Sequence, residues 1–156
     1  MIWWHQAWQP LWGHANLLDR TLGWYETVEP VAREIARRQG FPGVRWMKMT
    51  DPSGTEAPSN VGSFLIWQQP HFIYLAELVY RANPSDEVIK KYNRLVQETA
   101  EFMYAFATYD EFHGRFILKG AIPAQETLRA ATTINPPFEL SYWHFAMQTA
   151  QKWRER

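Results

Sequence analysis

The sequence predicts a mostly helical protein built from helical hairpins, with one small β-hairpin. Two observations support this prediction. Long segments place apolar residues at helical spacing, and the connections between them are very unequal in length, unlike the short loops of an ordinary helical bundle. Long loops collected at one end predict a toroid of helical hairpins with a site at its mouth. The 156 residues are interpreted as a single domain, residues 1–156, long enough to bury a core.

The first helices are predicted from apolar spacing and from helix-ending residues. Residues 2–11 are interpreted as the end of a helix, and residues 16–39 as a longer helix that stops at Gly40. Pro30 is expected to kink or interrupt this second helix, because proline cannot donate the backbone hydrogen bond of a helix interior. Its apolar stripe comprises Leu18, Leu22, Tyr25, Val28, Ala32, Ile35 and Ala36.

A long loop over residues 41–62 follows, rich in Pro, Gly and Ser and without a clear period. A loop of this length within a compact domain is usually functional or disordered. Its Trp46 and Met47 argue against disorder, so we interpret it as an ordered active-site loop. The next helix is predicted over residues 63–82, with Pro70 as an interior disturbance.

The second half of the chain predicts two more helices around a hairpin. Ser85 is a good N-cap for a helix that begins with acidic residues and extends to about residue 110. Gly114 supplies the turn of a short β-hairpin within residues 110–118. After a stiff connection, Pro136 and Pro137 begin a last helix.

Composition excludes several classes of function. Lys plus Arg and Asp plus Glu each total 16, and this balance argues against a nucleic-acid surface. No Cys is present and neither His5 nor His71 has a partner at metal-ligand spacing, so neither a metal nor a cofactor is expected. No segment resembles a signal peptide or a membrane span, which predicts a cytoplasmic location if the chain is a native product.

The unusual feature of the composition is its aromatic content, 16%, which includes nine Trp residues. Most of these rings must form the core. Several, however, lie beside polar residues in loop-like segments, and flat rings next to amides are suited to the apolar faces and hydroxyl rim of a sugar. The substrate-binding residues predicted on this basis are Trp4, His5, Trp46, Lys48, Trp67, Gln68, Gln69 and His71.

One acidic residue stands out in the connection that precedes the last helix. Glu126 follows Pro123, Ala124 and Gln125 and has no adjacent Lys or Arg. Apolar surroundings favour the protonated form of a carboxyl group, so Glu126 could serve as a general acid and Gln125 as a substrate contact. Spacing alone favours a solvated loop acid or a helix-start acid at Glu126. Glu139 at the start of the last helix is explained by the helix dipole.

Four segments occur in an order that resembles the six-hairpin glycosidases, with glycoside hydrolase families 65 and 95 as the nearest likeness. They read "WWHQAWQPLWG", "AREIARRQGFPGVRWMKM", "LIWQQPHFIYLAELVYR" and "IPAQE". The second departs from the family pattern at Val44 and Met47. The last stands where family 65 has "GPDEY", whose Glu is the general acid; with Gln125 and Thr127 in place of Asp and Tyr, only Glu126 carries over.

The resemblance implies an (α/α)6 barrel of which this chain supplies about half. Such a barrel has twelve helices, whereas the sequence predicts about five. The missing part would hold the general base of a hydrolase or the phosphate site of a phosphorylase. The implied function is therefore inverting cleavage of a glycoside or oligosaccharide with Glu126 as general acid, in a partial barrel of weak or no activity by itself.

Two other interpretations stay open. The chain could be a non-catalytic helical domain that binds carbohydrate or another protein, which a cleft without a second carboxylate would favour. A toroidal polysaccharide lyase is less favoured, because no Tyr, His and Arg set for it can be assembled. A partial barrel also exposes apolar helix faces, which predicts a homodimer detectable by light scattering. Candidates for this uncovered face are Leu18, Leu22, Phe102, Phe106, Trp143 and Phe145.

Overall fold

The computed structural model describes residues 2–124 and 127–156. Over these ranges the chain is mostly helical, with five α-helices and one two-stranded antiparallel sheet. This confirms the predicted helical class and the small hairpin. The helices are α1 (Ile2–Gln6), α2 (Ala15–Arg38), α3 (His71–Ala82), α4 (Asp86–Phe106) and α5 (Pro137–Glu155), and the strands are β1 (Thr108–Asp110) and β2 (Arg115–Ile117).

Helix α3 lies at the centre of the helical packing. It contacts α2, α4 and α5, while α4 and α5 also pack against each other. A helix that buries most of its surface is stable only inside a protein, and α3 therefore provides the surface on which the other helices assemble. Its buried residues are His71, Phe72, Ile73, Leu75, Ala76, Glu77 and Val79.

The start of α3 differs from the prediction of a helix over residues 63–82. A short 3₁₀ turn covers Gly62–Phe64, and the α-helix begins only at His71. Pro70 is the residue immediately before the helix. Proline is tolerated at a helix start, where the amide it lacks would have no partner, but it disrupts a helix interior. Helical angles are also disfavoured at the residue before a proline, here Gln69, which favours a helix start at this point.

The first helix ends earlier than predicted, whereas the second matches its predicted range. Helix α1 ends at Gln6 and is followed by a turn and a 3₁₀ segment at Pro10–Trp12, where one helix to residue 11 was predicted. Helix α2, in contrast, matches its predicted range closely and continues through Pro30 without a break. The many buried residues on one face of α2 outweigh the single backbone hydrogen bond that proline removes.

Helix α4 begins as predicted but ends earlier. The Ser85 side chain accepts a hydrogen bond from the Val88 amide at 3.4 Å, which confirms the N-cap. The helix ends at Phe106 because the next residues pair as β1 with β2, with Tyr109 opposite Phe116. Cross-strand pairing thus satisfies the backbone groups that another helical turn would have used.

A buried ionic group in α3 holds the end of α5. The Glu77 carboxylate accepts hydrogen bonds from Trp153 Nε1 at 2.8 Å, from Arg156 Nη1 at 2.8 Å and from Arg81 Nε at 2.8 Å. These donors lower the pKa of Glu77 against the effect of burial, which alone would raise it. A buried carboxylate with this many donors is well compensated, so the last turn of α5 is firmly attached to the central helix.

The apolar residues that were expected to form an uncovered helix face are mostly in the core. Leu18, Leu22 and Phe102 are fully buried and Trp143 nearly so, which makes that expectation wrong for these four. Phe106 and Phe145 are half-buried. Large exposed apolar side chains lie elsewhere. One group lies on α1 and the turns after it (Trp4, Trp8, Leu11 and Trp12), and another lies on the hairpin (Tyr109, Phe112 and Phe116). Self-association stays a prediction.

Within the part of the chain that the structure describes, each helix is either too short or too polar to cross a lipid bilayer.

Candidate functional site

A cavity of about 560 Å³ lies between α2, the loop that follows it and the start of α3. Its apolar wall includes Trp24, Tyr25 and Val28 from α2. Residues of the Trp46 loop and of the segment before α3 line this cavity together. The predicted binding residues found in its lining are Trp46, Lys48, Trp67, Gln68 and His71.

The loop reaches the cavity because Gly43 lets it lie directly against α4. Gly43 has a φ of +72°, and a Cβ there would overlap the carbonyl oxygen of Glu98. Two backbone hydrogen bonds then hold the loop between helices: the Val44 amide donates to Glu98 O at 3.2 Å, and the Arg45 amide donates to Ala32 O at 3.0 Å. Only glycine combines this backbone angle with so close an approach.

Gln69 holds the loop from the other side. Its Oε1 accepts from the Trp46 amide at 2.8 Å and from Arg45 Nη1 at 3.3 Å, and its Nε2 donates to Val44 O at 2.7 Å. Gln69 is fully buried and is absent from the cavity lining. Its predicted role as a hydroxyl-binding residue is therefore replaced by a structural one, since its amide binds protein groups.

Arg45 is a buried cation that sequence analysis did not single out. Its guanidinium donates to Leu65 O at 2.6 Å, to Trp46 O at 3.3 Å and more weakly to Ser63 O, and it lies 5.3 Å from the Phe102 ring centroid. Burial lowers the pKa of Arg45 to about 10, so the side chain stays charged at neutral pH. Its contacts join the loop to the segment before α3.

Gln68 and Trp67, which both line the cavity, carry polar atoms that lack protein partners among the described residues. Gln68 Nε2 donates to Trp46 O and Leu65 O, both at 2.9 Å, which fixes the orientation of the amide. Gln68 Oε1 and Trp67 Nε1 are buried and have no hydrogen-bond partner among the described residues. One acceptor and one donor thus stand on consecutive residues of the lining, the combination that a pair of hydroxyls can satisfy.

His71 contributes a neutral ring to the same wall. Its Nδ1 forms a hydrogen bond with the Tyr142 hydroxyl at 3.0 Å, and its ring meets Trp67 edge-on with 5.4 Å between centroids. Burial lowers the pKa of His71 to about 3, so the imidazole is uncharged over the physiological range. His71 can therefore bind a polar ligand by hydrogen bonding but carries no charge there.

Trp46 belongs more to the core than was expected. Its ring is 5% exposed and packs edge-on against Tyr25, while its Nε1 donates to Thr99 Oγ1 at 3.0 Å. Trp67, by contrast, is half-buried in the lining. Of the two predicted indoles in the lining, Trp67 is therefore the one with surface available to a ligand, and Trp24 of α2 is a second half-buried indole in the same lining.

The other predicted site residues are placed apart or are not described. Trp4 and His5 lie exposed on α1 and do not line the cavity, Trp4 being 77% exposed. Lys48 is half-buried in the lining. Gln125 and the proposed general acid Glu126 lie outside the described residues.

Glu139 is a buried acid that sequence analysis explained by the helix dipole. It stands in the first turn of α5 yet is fully buried, and its carboxyl oxygens have no hydrogen-bond partner among the described residues. Burial raises its pKa above the ordinary value, although its own amide and that of Ala124 partly oppose this effect. The dipole favours an acid in this first turn but does not account for the burial of Glu139.

Substituting Glu139 with glutamine should stabilise the protein at alkaline pH. The folded state binds the Glu139 proton more tightly than the unfolded chain, so this group lowers stability as pH rises from about 4.5 through its raised folded pKa. Glutamine removes that loss. We expect the thermal midpoint of Glu139→Gln, relative to wild type, to be higher at pH 8 than at pH 4. Glu155→Gln, an exposed change on the same helix, should show no such difference. An equal pH dependence of the thermal midpoint in both variants would contradict a raised pKa for Glu139.

No protein-family model matches the chain, and a search of the curated proteins finds no significant relative.

The residues that line the cavity indicate the kind of ligand that it can hold. Among the residues of 2–124 and 127–156, no three His, Asp or Glu side chains are grouped so as to hold a metal ion. The cavity instead combines apolar walls, unpartnered neutral polar atoms and two cationic side chains, Arg45 and Lys48. This combination is suited to binding a polar molecule with apolar faces.

Proposed function

We propose that the protein is carbohydrate-active and binds a sugar in the cavity between α2 and α3. The observation that supports this most strongly is the common lining formed by Trp46, Trp67, Gln68 and His71. Indole rings stack on the C–H faces of pyranoses, while amide and imidazole groups bind hydroxyls. The cavity volume of about 560 Å³ lies within the usual range for small-molecule sites.

We further propose that α2–α5 are helical hairpins of a toroid of the six-hairpin glycosidase type, about half of an (α/α)6 barrel. The packing of successive helices, α2 on α3, α3 on α4 and α4 on α5, is what such hairpins require. In this arrangement Glu126 is the general acid that protonates the leaving oxygen, with inversion at the sugar carbon. A base or phosphate from another part of the barrel would act on the opposite face.

A non-catalytic sugar-binding domain is the second candidate. It is favoured by the absence of Asp and Glu from the described residues that line the cavity. Those residues are sufficient for binding, whereas cleavage also needs an acid and a partner for it. The two candidates share the sugar-binding cavity and differ in the role of Glu126.

Sugar binding is tested by titrating the protein with a panel of mono- and oligosaccharides and following tryptophan fluorescence. We expect at least one saccharide to change the emission, because Trp67 is half-buried in the lining. Trp67→Phe should weaken binding of that saccharide by about threefold to tenfold, the usual value of an aromatic contact. Trp12→Phe, at an indole that is 75% exposed outside the cavity, is the control. Absence of any response at millimolar saccharide would contradict the proposal.

The role of Glu126 is tested by Glu126→Gln in any form of the protein that cleaves glycosides. Glutamine keeps the size of the side chain but cannot donate the acid proton, so turnover of unactivated glycosides should fall by about 10²- to 10⁴-fold. Saccharide binding should change little. Glu155→Gln serves as the control for a surface acid. Retained turnover in Glu126→Gln would remove the general-acid assignment and leave that role to another residue. Failure of every form of the protein to cleave glycosides would favour the binding domain.

A further inference from the structure

His71 uses one ring nitrogen to bind the protein and keeps the other available. Its Nδ1 lies 3.0 Å from the Tyr142 hydroxyl. Its Nε2 has no hydrogen-bond partner among the described residues, yet it does not belong to their fully buried unpartnered atoms. His71 is only 7% exposed and lines the cavity, so the surface that its ring retains lies there. Nε2 is therefore the polar atom of His71 that a ligand in the cavity would contact.

The hydrogen bond between His71 and Tyr142 has one direction that pairs both protons. Burial lowers the pKa of His71 to about 3, so the ring carries a single N–H, and burial raises the pKa of Tyr142, so the hydroxyl keeps its proton. If Nδ1 were the donor, the tyrosine O–H would need another acceptor, and the described residues supply none. If the hydroxyl is the donor, Nδ1 accepts and the ring proton lies on Nε2.

Trp3 favours the same direction. Its side chain forms a hydrogen bond with the Tyr142 hydroxyl, which partly opposes the rise in the pKa of Tyr142 caused by burial. An indole N–H can only donate, so the tyrosine oxygen is the acceptor of this bond. The O–H of Tyr142 is then left to donate to the histidine. The three side chains form a relay in which Trp3 donates to Tyr142 and Tyr142 donates to His71.

Aromatic contacts hold the two rings in this orientation. The His71 ring meets Trp67 edge-on at 5.4 Å between centroids and lies 5.7 Å from the Tyr142 ring. Tyr142 in turn contacts Phe138 at 6.0 Å and Phe145 at 6.5 Å, both on α5. Turning the imidazole over would place a ring carbon against the hydroxyl and leave a buried O–H without its acceptor. The Nε2 position is therefore set before any ligand arrives, which lowers the cost of binding.

We propose that Tyr142 is a positioning residue of the sugar site: its hydroxyl donates to His71 Nδ1 and so fixes the tautomer in which His71 Nε2–H donates to an oxygen of the bound sugar. This inference rests on the proposed sugar-binding function and names the atom through which His71 recognises the ligand. A neutral N–H suits the hydroxyl, ring and glycosidic oxygens of a sugar, all of which accept hydrogen bonds. Tyr142 is absent from the cavity lining, so it acts through His71.

Nitrogen NMR of the full chain, labelled with ¹⁵N at histidine, tests the tautomer without any ligand. At neutral pH we expect His71 Nδ1 to show the chemical shift of an unprotonated nitrogen and Nε2 that of a protonated one. The loss of these signals in His71→Gln identifies them. Tyr142→Phe should move the Nδ1 signal, because Nδ1 loses its donor. Tyr74→Phe, on a ring 6.3 Å from that of Tyr142, is the matched control and should not. A proton on Nδ1 in the wild type, or an unmoved signal in Tyr142→Phe, would overturn the inference.

The contact with the sugar is tested by fluorescence titration with glucose, maltose and cellobiose. A glutamine side chain can place an amide N–H near the position of imidazole Nε2, whereas asparagine reaches only the position of Nδ1. We expect His71→Asn to weaken saccharide binding by about threefold to tenfold, the effect of one neutral hydrogen bond, and His71→Gln to retain most of the affinity. Tyr142→Phe should weaken binding in the wild type but not in the His71→Gln background, since the two residues act as a pair.

The outcomes separate this inference from the proposed function. Saccharide binding that is equal in wild type, His71→Asn and Tyr142→Phe would overturn the inference while the sugar-binding function stands. Equal losses in His71→Asn and His71→Gln would contradict donation from Nε2. No response to any of the three sugars would count against the proposed function and, with it, the contact to a sugar. The NMR spectra would still decide whether Tyr142 fixes the tautomer of His71.

Discussion

Replacing Gly43 with alanine is expected to destabilise the protein by about 4 kcal/mol or more. The left-handed backbone at Gly43 alone costs an L-residue about 1–2 kcal/mol. The added Cβ would also overlap the Glu98 carbonyl oxygen and lie 2.9 Å from the Phe102 amide nitrogen, both backbone atoms of α4. The loop must then move away from α4, which breaks the hydrogen bond from Val44 to Glu98. A core rearrangement of this kind falls among the larger effects of single substitutions.

Gly40→Ala is the matched control for this change. Gly40 has a similar φ of +82°, but no atom lies within 4 Å of the position its Cβ would take. Gly40→Ala should therefore lose only about 1–2 kcal/mol of stability, the cost of a left-handed backbone at an L-residue. Urea denaturation of both variants measures the difference. Equal losses would show that the loop can leave α4 at no cost. We also expect Gly43→Ala to weaken saccharide binding, since the same loop carries Trp46 and Lys48 into the cavity lining.

The second large effect is expected from Gln69→Leu, at about 3 kcal/mol or more. Leucine removes the acceptor of the Trp46 amide and of Arg45 Nη1, and the donor to Val44 O. Each buried polar group left without a partner costs about 1–3 kcal/mol. The Trp46 amide and Val44 O are left without partners, while Arg45 Nη1 keeps its bond to Trp46 O. Two such groups, one lost bond to a cation and only a small gain from the apolar side chain predict a clear loss of stability, together with a distorted cavity.

Gln151→Leu on α5 is the control for Gln69→Leu, since Gln151 is exposed and its side chain donates to Glu155 alone among the described residues. Its effect should stay within about 0.5 kcal/mol, as for surface substitutions generally. The free energy of unfolding from urea titration gives both values. A Gln69→Leu protein as stable as Gln151→Leu would mean that the loop does not depend on the Gln69 amide.

Sequence patterns predicted the elements whose signals are local. The apolar stripe of α2, the Ser85 cap of α4 and the hairpin at Gly114 each depend on residues within a few positions of one another. The start of α3 was placed too early because an apolar run through Pro70 matches a helix in composition. Proline disfavours a helix through this point, and the structure shows the chain turning before His71.

The sequence predicted which residues belong to the candidate site better than it predicted what each residue does there. Placing the Trp46 loop and residues 67–71 in one cavity needed only the expectation that long loops share a mouth. The contrast between Gln68, which lines the cavity, and Gln69, which holds the loop, could not be predicted from two identical adjacent residues. The signal that could have indicated Arg45 is its place between Val44 and Trp46, a charge inside an apolar run.

The sequence by itself determined the helical class, the ring-rich composition and the set of polar residues near Trp67, because these follow from residue type and spacing. Only the tertiary structure decided that Arg45 is buried and that Glu139 is hidden at the start of α5. The position of Arg45 depends on neighbours distant in the chain: Arg45 donates to Leu65 O, and Gln69 holds the adjacent Val44 from a position 25 residues away. Burial and hydrogen-bond partners are properties of the packed chain, and no local pattern specifies them.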